Sequence, residues 1–356
     1  MTLILSNSAI ESLLTTQDYI RAIEDAFADL GRGLATNRPR SLSYCPLERD
    51  HFYMFSCMDG SLPRYGVHFL RLTSDHIFEM SQGDVGRREK LPRGPGGTFC
   101  GLILMFSLET LELLGIFQDA VLNRWMVGAT SGIASKYASR PESRKLALIG
   151  SGWLAYTHVL AHCAVRPIEQ ITVYSPNEAH REALCRELNH KVEAELIPVD
   201  SARTAMKDVD IVSAVTNSYE PVFSGDWLEP GQYVTSVQGS ELDDRTPDRA
   251  AIIVTRAMEP ATFAAPPGCD PKEADWFRRW RSDWRVKLRE LGRIVAGSQA
   301  GRDSSEDITL FGSGGTTPSH GIAIQYAAAA IAYQRARERG MGYEVPSELF
   351  LEAFHP

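Results

Sequence analysis

The stretch Leu146-Ala147-Leu148-Ile149-Gly150-Ser151-Gly152-Trp153-Leu154-Ala155 decides the fold. Four apolar residues in a row read as a buried strand, the glycines break it, and a helical pattern follows through Cys163. A strand that passes through Gly-x-Gly-x-x-Ala into a helix is the pattern of a dinucleotide-binding turn. The first glycine permits the tight turn, the second lets backbone approach a pyrophosphate, and the alanine lets helix and strand pack closely. The start of the helix then offers amide groups to phosphate oxygens. Gly150, Ser151, Gly152, Trp153 and Leu154 are accordingly candidate cofactor contacts.

Outward from this turn, short apolar runs alternate with helical patterns. The runs are Ile171–Tyr174, Leu196–Val199, Ile211–Ala214, Tyr233–Val237 and Ile252–Val254. Such alternation predicts parallel strands joined by crossover helices, a doubly wound α/β sheet of Rossmann type. Cofactor choice is set at the end of the second strand, where an Asp or Glu would hold the ribose hydroxyls of NAD. Here stand Ser175, Pro176 and Asn177, with no carboxylate to repel a 2′-phosphate and with His180 and Arg181 close behind. The expectation is NAD or NADP, with these residues favouring NADP; Asn177 can equally bind a hydroxyl.

The first third reads differently. From Thr16 to Leu34, Ile20, Ile23, Ala26, Phe27 and Leu30 recur at helical spacing, and Gly31 and Gly33 end the helix. Between Ser41 and Leu114 come sheet-like runs, Phe52–Phe55, Val67–Leu72 and Leu102–Phe106, broken by Gly, Pro and polar clusters. The Gly-, Arg- and Pro-rich segment Ser81–Gly97 reads as a long loop. His320–Arg337 reads as a small-residue helix that returns to the first lobe or packs across a dimer. At 356 residues the chain is long enough for two cores. The expected division is residues 1–125 with 315–356 as an N-terminal α+β sheet domain completed by the C-terminal helix, and 126–314 as the Rossmann domain.

A net charge of −8 disfavours a nucleic-acid partner, which would need clustered Lys and Arg. No apolar run approaches the roughly 20 residues of a membrane span. The six cysteines show no CxxC pair, and the N-terminus carries no basic-then-apolar segment, so a soluble cytoplasmic protein is expected. His158 and His162 stand at i and i+4 but lack the Glu of HExxH, and no metal site is expected. Trp276, Trp280, Trp284 and Leu288, with Arg278, Arg279, Arg281 and Arg285, read as an amphipathic helix seated on a core. No GxSxG motif appears.

Several segments together resemble the ornithine cyclodeaminase and mu-crystallin family. They are Gly101–Phe106 with Leu113–Ile116; Val127–Ser131 with Lys136-Tyr137; Gly150–Gly152; Asp210–Val212 with Ala214–Ser218; Glu241–Asp243; Glu290–Gly292 with Gly297; and Asp307–Ser313. The resemblance implies an N-terminal sheet domain that dimerises and a Rossmann domain that binds the cofactor. The substrate would lie between them, near the nicotinamide, with Thr216, Asn217 and Ser313 as further cofactor contacts. Family members include cyclodeaminases that keep and recycle NAD, alanine dehydrogenases, imino-acid reductases and the thyroid-hormone-binding mu-crystallin.

The family pocket uses an early Arg, a strand Lys, an Arg ahead of the Rossmann domain and, in cyclodeaminases, an Asp after the fifth Rossmann strand. By position the early Arg falls at Arg40 or Arg38, and the Lys at Arg71 or, in another register, His68. Alternation along a strand allows only one of those two to line the pocket. The later Arg is replaced by Met126, with Arg124 two residues before it, and the Asp position holds about Ser240. An Arg cannot shuttle protons as a tuned Lys does, and Ser is no carboxylate base. The expected function is therefore an NAD(P)-dependent reductase or dehydrogenase of a small imino, keto or amino acid. Arg40, Arg71 and Arg124 would clamp the carboxylate of this small-molecule partner, and His68, if inward, would donate the proton. Alternatives are a cyclodeaminase-type lyase with retained NAD and a mu-crystallin-like binding protein. A homodimer is expected.

Overall fold

The computed structural model describes residues 1–48, 50–82, 85–267, 269, 281–312 and 316–354. The chain opens with β1 (Thr2–Leu5), α1 (Asn7–Leu13) and α2 (Thr16–Gly31). α2 is the predicted amphipathic helix. A capping box between Thr15 and Asp18 fixes its start, and Ile20, Ile23, Ala26 and Phe27 form its buried stripe. Then come β2 (Thr36–Asn37), β3 (Ser41–Glu48), β4 (His51–Leu62), β5 (Val67–Gln82), β6 (Val85–Leu91), β7 (Cys100–Ser107), β8 (Leu113–Gln118) and α3 (Asp119–Ala138).

Most of the segment expected as a loop over Ser81–Gly97 is strand. β6 pairs antiparallel with β5, placing Leu91 opposite His76. Its sequence Val-Gly-Arg-Arg-Glu-Lys-Leu has no apolar alternation. The ladder supplied by β5 holds it, and charge is what a sheet edge tolerates.

The second half builds β9 (Lys145–Ile149), α4 (Ala155–Val165), β10 (Gln170–Tyr174), α5 (Glu178–Leu188), β11 (Glu195–Val199), β12 (Ile211–Ala214), β13 (Tyr233–Ser236) and β14 (Ile252–Thr255). After these come β15 (Thr262–Ala264), β16 (Leu288–Glu290), β17 (Thr309–Phe311), α6 (Ala328–Arg339) and β18 (Tyr343–Val345). Two sheets result. One runs β15-β3-β4-β5-β7-β8-β1-β18, with β2 on β4 and β6 on β5. The other runs β11-β10-β9-β12-β13-β17-β14-β16, every pairing parallel. This second sheet is the predicted doubly wound one, and each apolar run read from the sequence lies in one of its strands. Strand order reverses between β9 and β12, which puts the ligand crevice of such a sheet outside their carboxyl ends.

The tryptophan stripe does not form the expected helix where it is described. Ser282–Lys287 is a 3-10 turn and Leu288–Glu290 is β16, because β14 offers a ladder that captures Leu288. Trp284 is buried and its indole N–H donates to Asp248 (2.8 Å). Trp276, Trp280, Arg278 and Arg279 lie outside the described residues.

The C-terminal helix packs on α1 and α2 within the chain, and α6 starts later than the sequence pattern, after a 3-10 turn at Ala323–Tyr326. Arg335 donates to both carboxylate oxygens of Asp18 (2.7 and 2.8 Å), and β18 pairs with β1. α3 joins the two sheets and crosses α4 closely. A Cβ on Gly128 would come within 2.6–2.7 Å of Thr157, and one on Gly132 within 2.8–3.0 Å of Ala161. Among the described residues no helix is long and apolar enough to cross a membrane.

Candidate functional site

The glycine turn follows β9 directly. Gly150 has φ +113°, and a Cβ there would lie 2.2 Å from the Val215 carbonyl oxygen, so only glycine fits where this turn meets the end of β12. Gly152 is the opposite case, because its missing Cβ would point into open space. The backbone at Gly152 is thus exposed at the mouth of the crevice, the cradle that a pyrophosphate requires. Trp153 and Leu154 lead into α4, whose first residue Ala155 donates to the Gly152 carbonyl (3.0 Å).

At the end of β10, Ser175 is buried and its carbonyl accepts from Arg181 (3.1 Å). Pro176 is exposed, and Asn177 caps α5 by accepting from the His180 amide (3.1 Å). Arg181 also lies 3.6 Å from Glu178. Beyond β12, Thr216 and Asn217 form the next loop, and the Thr216 amide donates to Glu241. Glu241 is fully buried and also accepts from the amides of Val237 (2.9 Å) and Gln238 (2.8 Å). Burial pushes its carboxyl up to about 7, against the amide donors that pull it down. It ties together the loops after β12 and β13. Ser240, near the family Asp position, adds a second tie by donating to the Ser218 carbonyl (2.8 Å). Ser313 lies outside the described residues.

Across the crevice stands the first sheet. Alternation along β5 buries Phe69, Arg71, Thr73 and Asp75 on one face and leaves His68, Leu70 and Leu72 half-buried on the other. Arg71 is held by Asp119, the first residue of α3, through Nε–Oδ1 (3.2 Å) and Nη2–Oδ2 (2.6 Å). Tyr326, buried and within electrostatic reach of Arg71, donates to Asn123 one turn along α3 (3.1 Å). His68 shares a hydrogen bond with Ser61 (2.9 Å) and lies 3.7 Å from Asp59, which also takes Arg38 (2.6 Å). Arg40 is half-buried, and its carbonyl accepts from the Thr262 amide of β15 (2.8 Å).

Arg124 does not join Arg71. Its Nε donates to the Trp153 carbonyl (2.7 Å) and its guanidinium lies over the rings of Tyr156 (4.5 Å) and Trp153 (5.4 Å), bracing the glycine turn from α3. It faces a pocket of about 590 Å³ lined also by Glu11, Trp125, Tyr156 and Lys191. Met126 is buried with its methyl 3.1 Å from where a Cβ of Gly321 would sit. His158 and His162 are core residues whose imidazoles burial keeps neutral; His158 shares a hydrogen bond with Ser213 (3.1 Å). Among the described residues no three His, Cys, Asp or Glu side chains converge as a metal site would need. Two groups escape a reading by motif: Glu241, quoted only inside the Glu-Leu-Asp match, and Arg256, buried just past β14.

The sequence profile of the ornithine cyclodeaminase/mu-crystallin family matches residues 1–340. The chain belongs to this family. Among its relatives is a Delta(1)-pyrroline-2-carboxylate reductase of Bacillus cereus, 30% identical over 253 residues, covering 70% of this chain and 74% of the relative. An alanine dehydrogenase of Archaeoglobus fulgidus is 26% identical over 355 residues, 97% of this chain and 98% of its own. Among solved family structures, the Thermococcus litoralis Delta(1)-pyrroline-2-carboxylate reductase in complex with NADH and L-proline superposes with a TM-score of 0.76 at 27% identity. It covers 97% of this chain and 100% of its own.

Proposed function

We propose that this chain is an NAD(P)-dependent oxidoreductase that reduces a small cyclic imino acid or a related keto acid, or oxidises the corresponding amino acid. The observation that carries the reading is the open backbone at Gly152, at the strand-order reversal of a parallel sheet. The named relatives act on such substrates, and the solved reductase holds NADH with L-proline.

Gly150, Ser151, Gly152, Trp153 and Leu154 would hold the pyrophosphate, with Ser175, Pro176 and Asn177 at the ribose and Thr216, Asn217 and Ser313 toward the nicotinamide. When bound, the nicotinamide supplies or accepts the hydride. The chain's own contribution would be orientation, and of the residues the sequence singles out, Arg40 and Arg71 both act on the buried Tyr326, which supports placing them in one pocket. The alternation of β5 supports Arg71 over His68 as the strand residue of the pocket. Arg124 would act by bracing the turn. An imine that enters protonated needs only a hydride at carbon, which suits a pocket with Ser240 near the position where cyclodeaminases keep an Asp. That substitution favours reduction over the lyase reading.

The division into residues 1–125 with 315–356 and 126–314 belongs to this proposal, as do a cytoplasmic location and a homodimer. Half-buried Phe55, Leu70, Leu72, Leu104, Phe106 and Ile116 share one face of the first sheet, an apolar patch of the character that dimers cover. His68 lies on that face.

The test is cofactor oxidation at 340 nm with Δ1-pyrroline-2-carboxylate, and with pyruvate plus ammonia, for NADH and NADPH in turn. Steady oxidation with one of them is expected. Tight cofactor binding without oxidation, or ammonia release from ornithine without net cofactor change, would overturn the reading.

A further inference from the structure

The residue that follows β14 is Arg256, 4% exposed and, with Arg71, one of two buried arginines among the described residues. Its surroundings differ from those of the other arginines. Arg71 has Asp119, and Arg38 has Asp59. Arg256 has no carboxylate among the described residues. One Nη donates to the Gly312 carbonyl (3.1 Å), the guanidinium lies 4.4 Å from the centre of the Phe311 ring, and the buried Nε meets no acceptor. Burial draws the guanidinium down to about 10, against the pull of Tyr233 and with the like charge of Arg40 adding to the fall, so it stays protonated at neutral pH.

Connectivity explains why two like charges meet here. The chain leaves the parallel sheet at Thr255, passes Arg256, and within a few residues reaches the first sheet, where the Thr262 amide donates to the Arg40 carbonyl and β15 pairs with β3. The backbone is pinned at the crossing, since Ser319 accepts from the Ala257 amide (3.1 Å) and shares a hydrogen bond with Thr255 (3.1 Å). Arg256 therefore stands at the carboxyl edge of the parallel sheet, beside the ends of β14 and β17 and under Arg40 of the facing sheet. A buried cation is costly without a counter-charge, and Arg256 meets none among the described residues, so an anion would complete the fold here.

We propose that Arg256, with Arg40 above it, is the seat of the substrate carboxylate. This rests on the imino- or keto-acid reading above, and it assigns the carboxylate to an arginine that no motif marks. One Nη is taken by the Gly312 carbonyl and the buried Nε has no acceptor, which leaves the Nε edge of a planar guanidinium for a bidentate contact with a carboxylate. Arg71, with its own carboxylate in place, then serves as wall rather than as clamp.

The experiment uses the full chain saturated with NADH or NADPH. Pyrrole-2-carboxylate, a flat ring acid that accepts no hydride, is titrated beside its neutral isostere pyrrole-2-carboxamide by calorimetry, for the wild type, Arg256→Gln and Arg256→Lys. The wild type should prefer the acid. Arg256→Gln should weaken the acid by about 10- to 100-fold, the loss of a charge-assisted contact, and leave the amide within about 3-fold. Arg256→Lys should recover part of the preference, and cofactor affinity should not change in either variant. The ligand-free Arg256→Gln protein should melt no lower than wild type, since an uncompensated cation is gone. If Arg256→Gln keeps the wild-type preference for the acid, or if no anion among pyrrole-2-carboxylate, pyruvate and sulfate binds the wild type, the seat is overturned. If sulfate or pyruvate binds in an Arg256-dependent way and the ring acid does not, the seat stands and the cyclic imino-acid reading falls.

Discussion

The two walls of the crevice are built on different principles. On the parallel sheet the proposed ligand contacts are backbone: only glycine fits at Gly150 against Val215, and at Gly152 a missing Cβ leaves open space. On the first sheet and at its crossing with β14 the proposed contacts are guanidinium groups, whose role depends on what else stands nearby. Arg71 and Arg256 are both buried arginines, yet Asp119 neutralises one and no described carboxylate neutralises the other. A backbone site is fixed by local steric rules, whereas a charged site is fixed by a census of neighbours distant in sequence.

That contrast can be broken first at Arg71. If it is a structural pair, Arg71→Ala leaves Asp119 buried and unpaired and should cost about 3–5 kcal/mol of stability, read as a fall in the denaturant midpoint. Asp119→Asn in the Arg71→Ala background should return part of it. An Arg71→Ala protein as stable as wild type would mean that the pair carries no structural load and that the division between the two arginines is false.

Glu241 offers the next largest effect. Its folded value of about 7 stands above the ordinary 4.5, so the folded protein binds this proton more tightly than the unfolded chain does. The contribution is full below pH 4.5 and declines as pH rises through 7, amounting to at most roughly 3 kcal/mol. Denaturant midpoints followed between pH 5 and 8 should show that decline in the wild type and a flatter profile in Glu241→Gln. Parallel profiles would refute the assignment.

The glycines sharpen the comparison from the other side. Gly152→Val should stay folded and lose roughly 100-fold in NAD(P)H affinity, because the new side chain fills the cradle. Gly150→Ala should fail at the level of folding, given its positive φ and its contact with Val215. A folded Gly152→Val protein with unchanged affinity by calorimetry would remove the nucleotide site from this turn.

The smallest expected effect is at Ser175. Ser175→Asp should move the ratio of NAD to NADP dissociation constants toward NAD by about tenfold, through attraction to ribose hydroxyls and repulsion of a 2′-phosphate. An unmoved ratio would mean that the loop after β10 does not reach the ribose.

Most of the fold is legible in the sequence because buried parallel strands are predominantly apolar, as Leu146–Ile149 is throughout and its companions are in large part. Where structure is imposed by a partner it is not legible. β6 is a strand only because β5 is there, and Leu288 belongs to β16 because β14 is open beside it. The site divides in the same way. The glycine turn is visible as a motif, but Glu241 gathers amides from two loops and Arg256 is defined by the absence of a described carboxylate, a property that no single stretch of residues encodes.

α3 carries both walls on one rod. Asp119 holds Arg71, Asn123 takes Tyr326, Arg124 braces the glycine turn, and Gly128 and Gly132 let α4 lie flush against it. A helix keeps its residues in angular phase at about 100° per residue. One residue inserted between Asn123 and Gly128 would therefore leave the arginine end in place and swing the glycine face by about a quarter turn away from α4. The spacing from 119 to 132 is in that sense a phase lock, and it permits substitutions at many of its positions but no change in length.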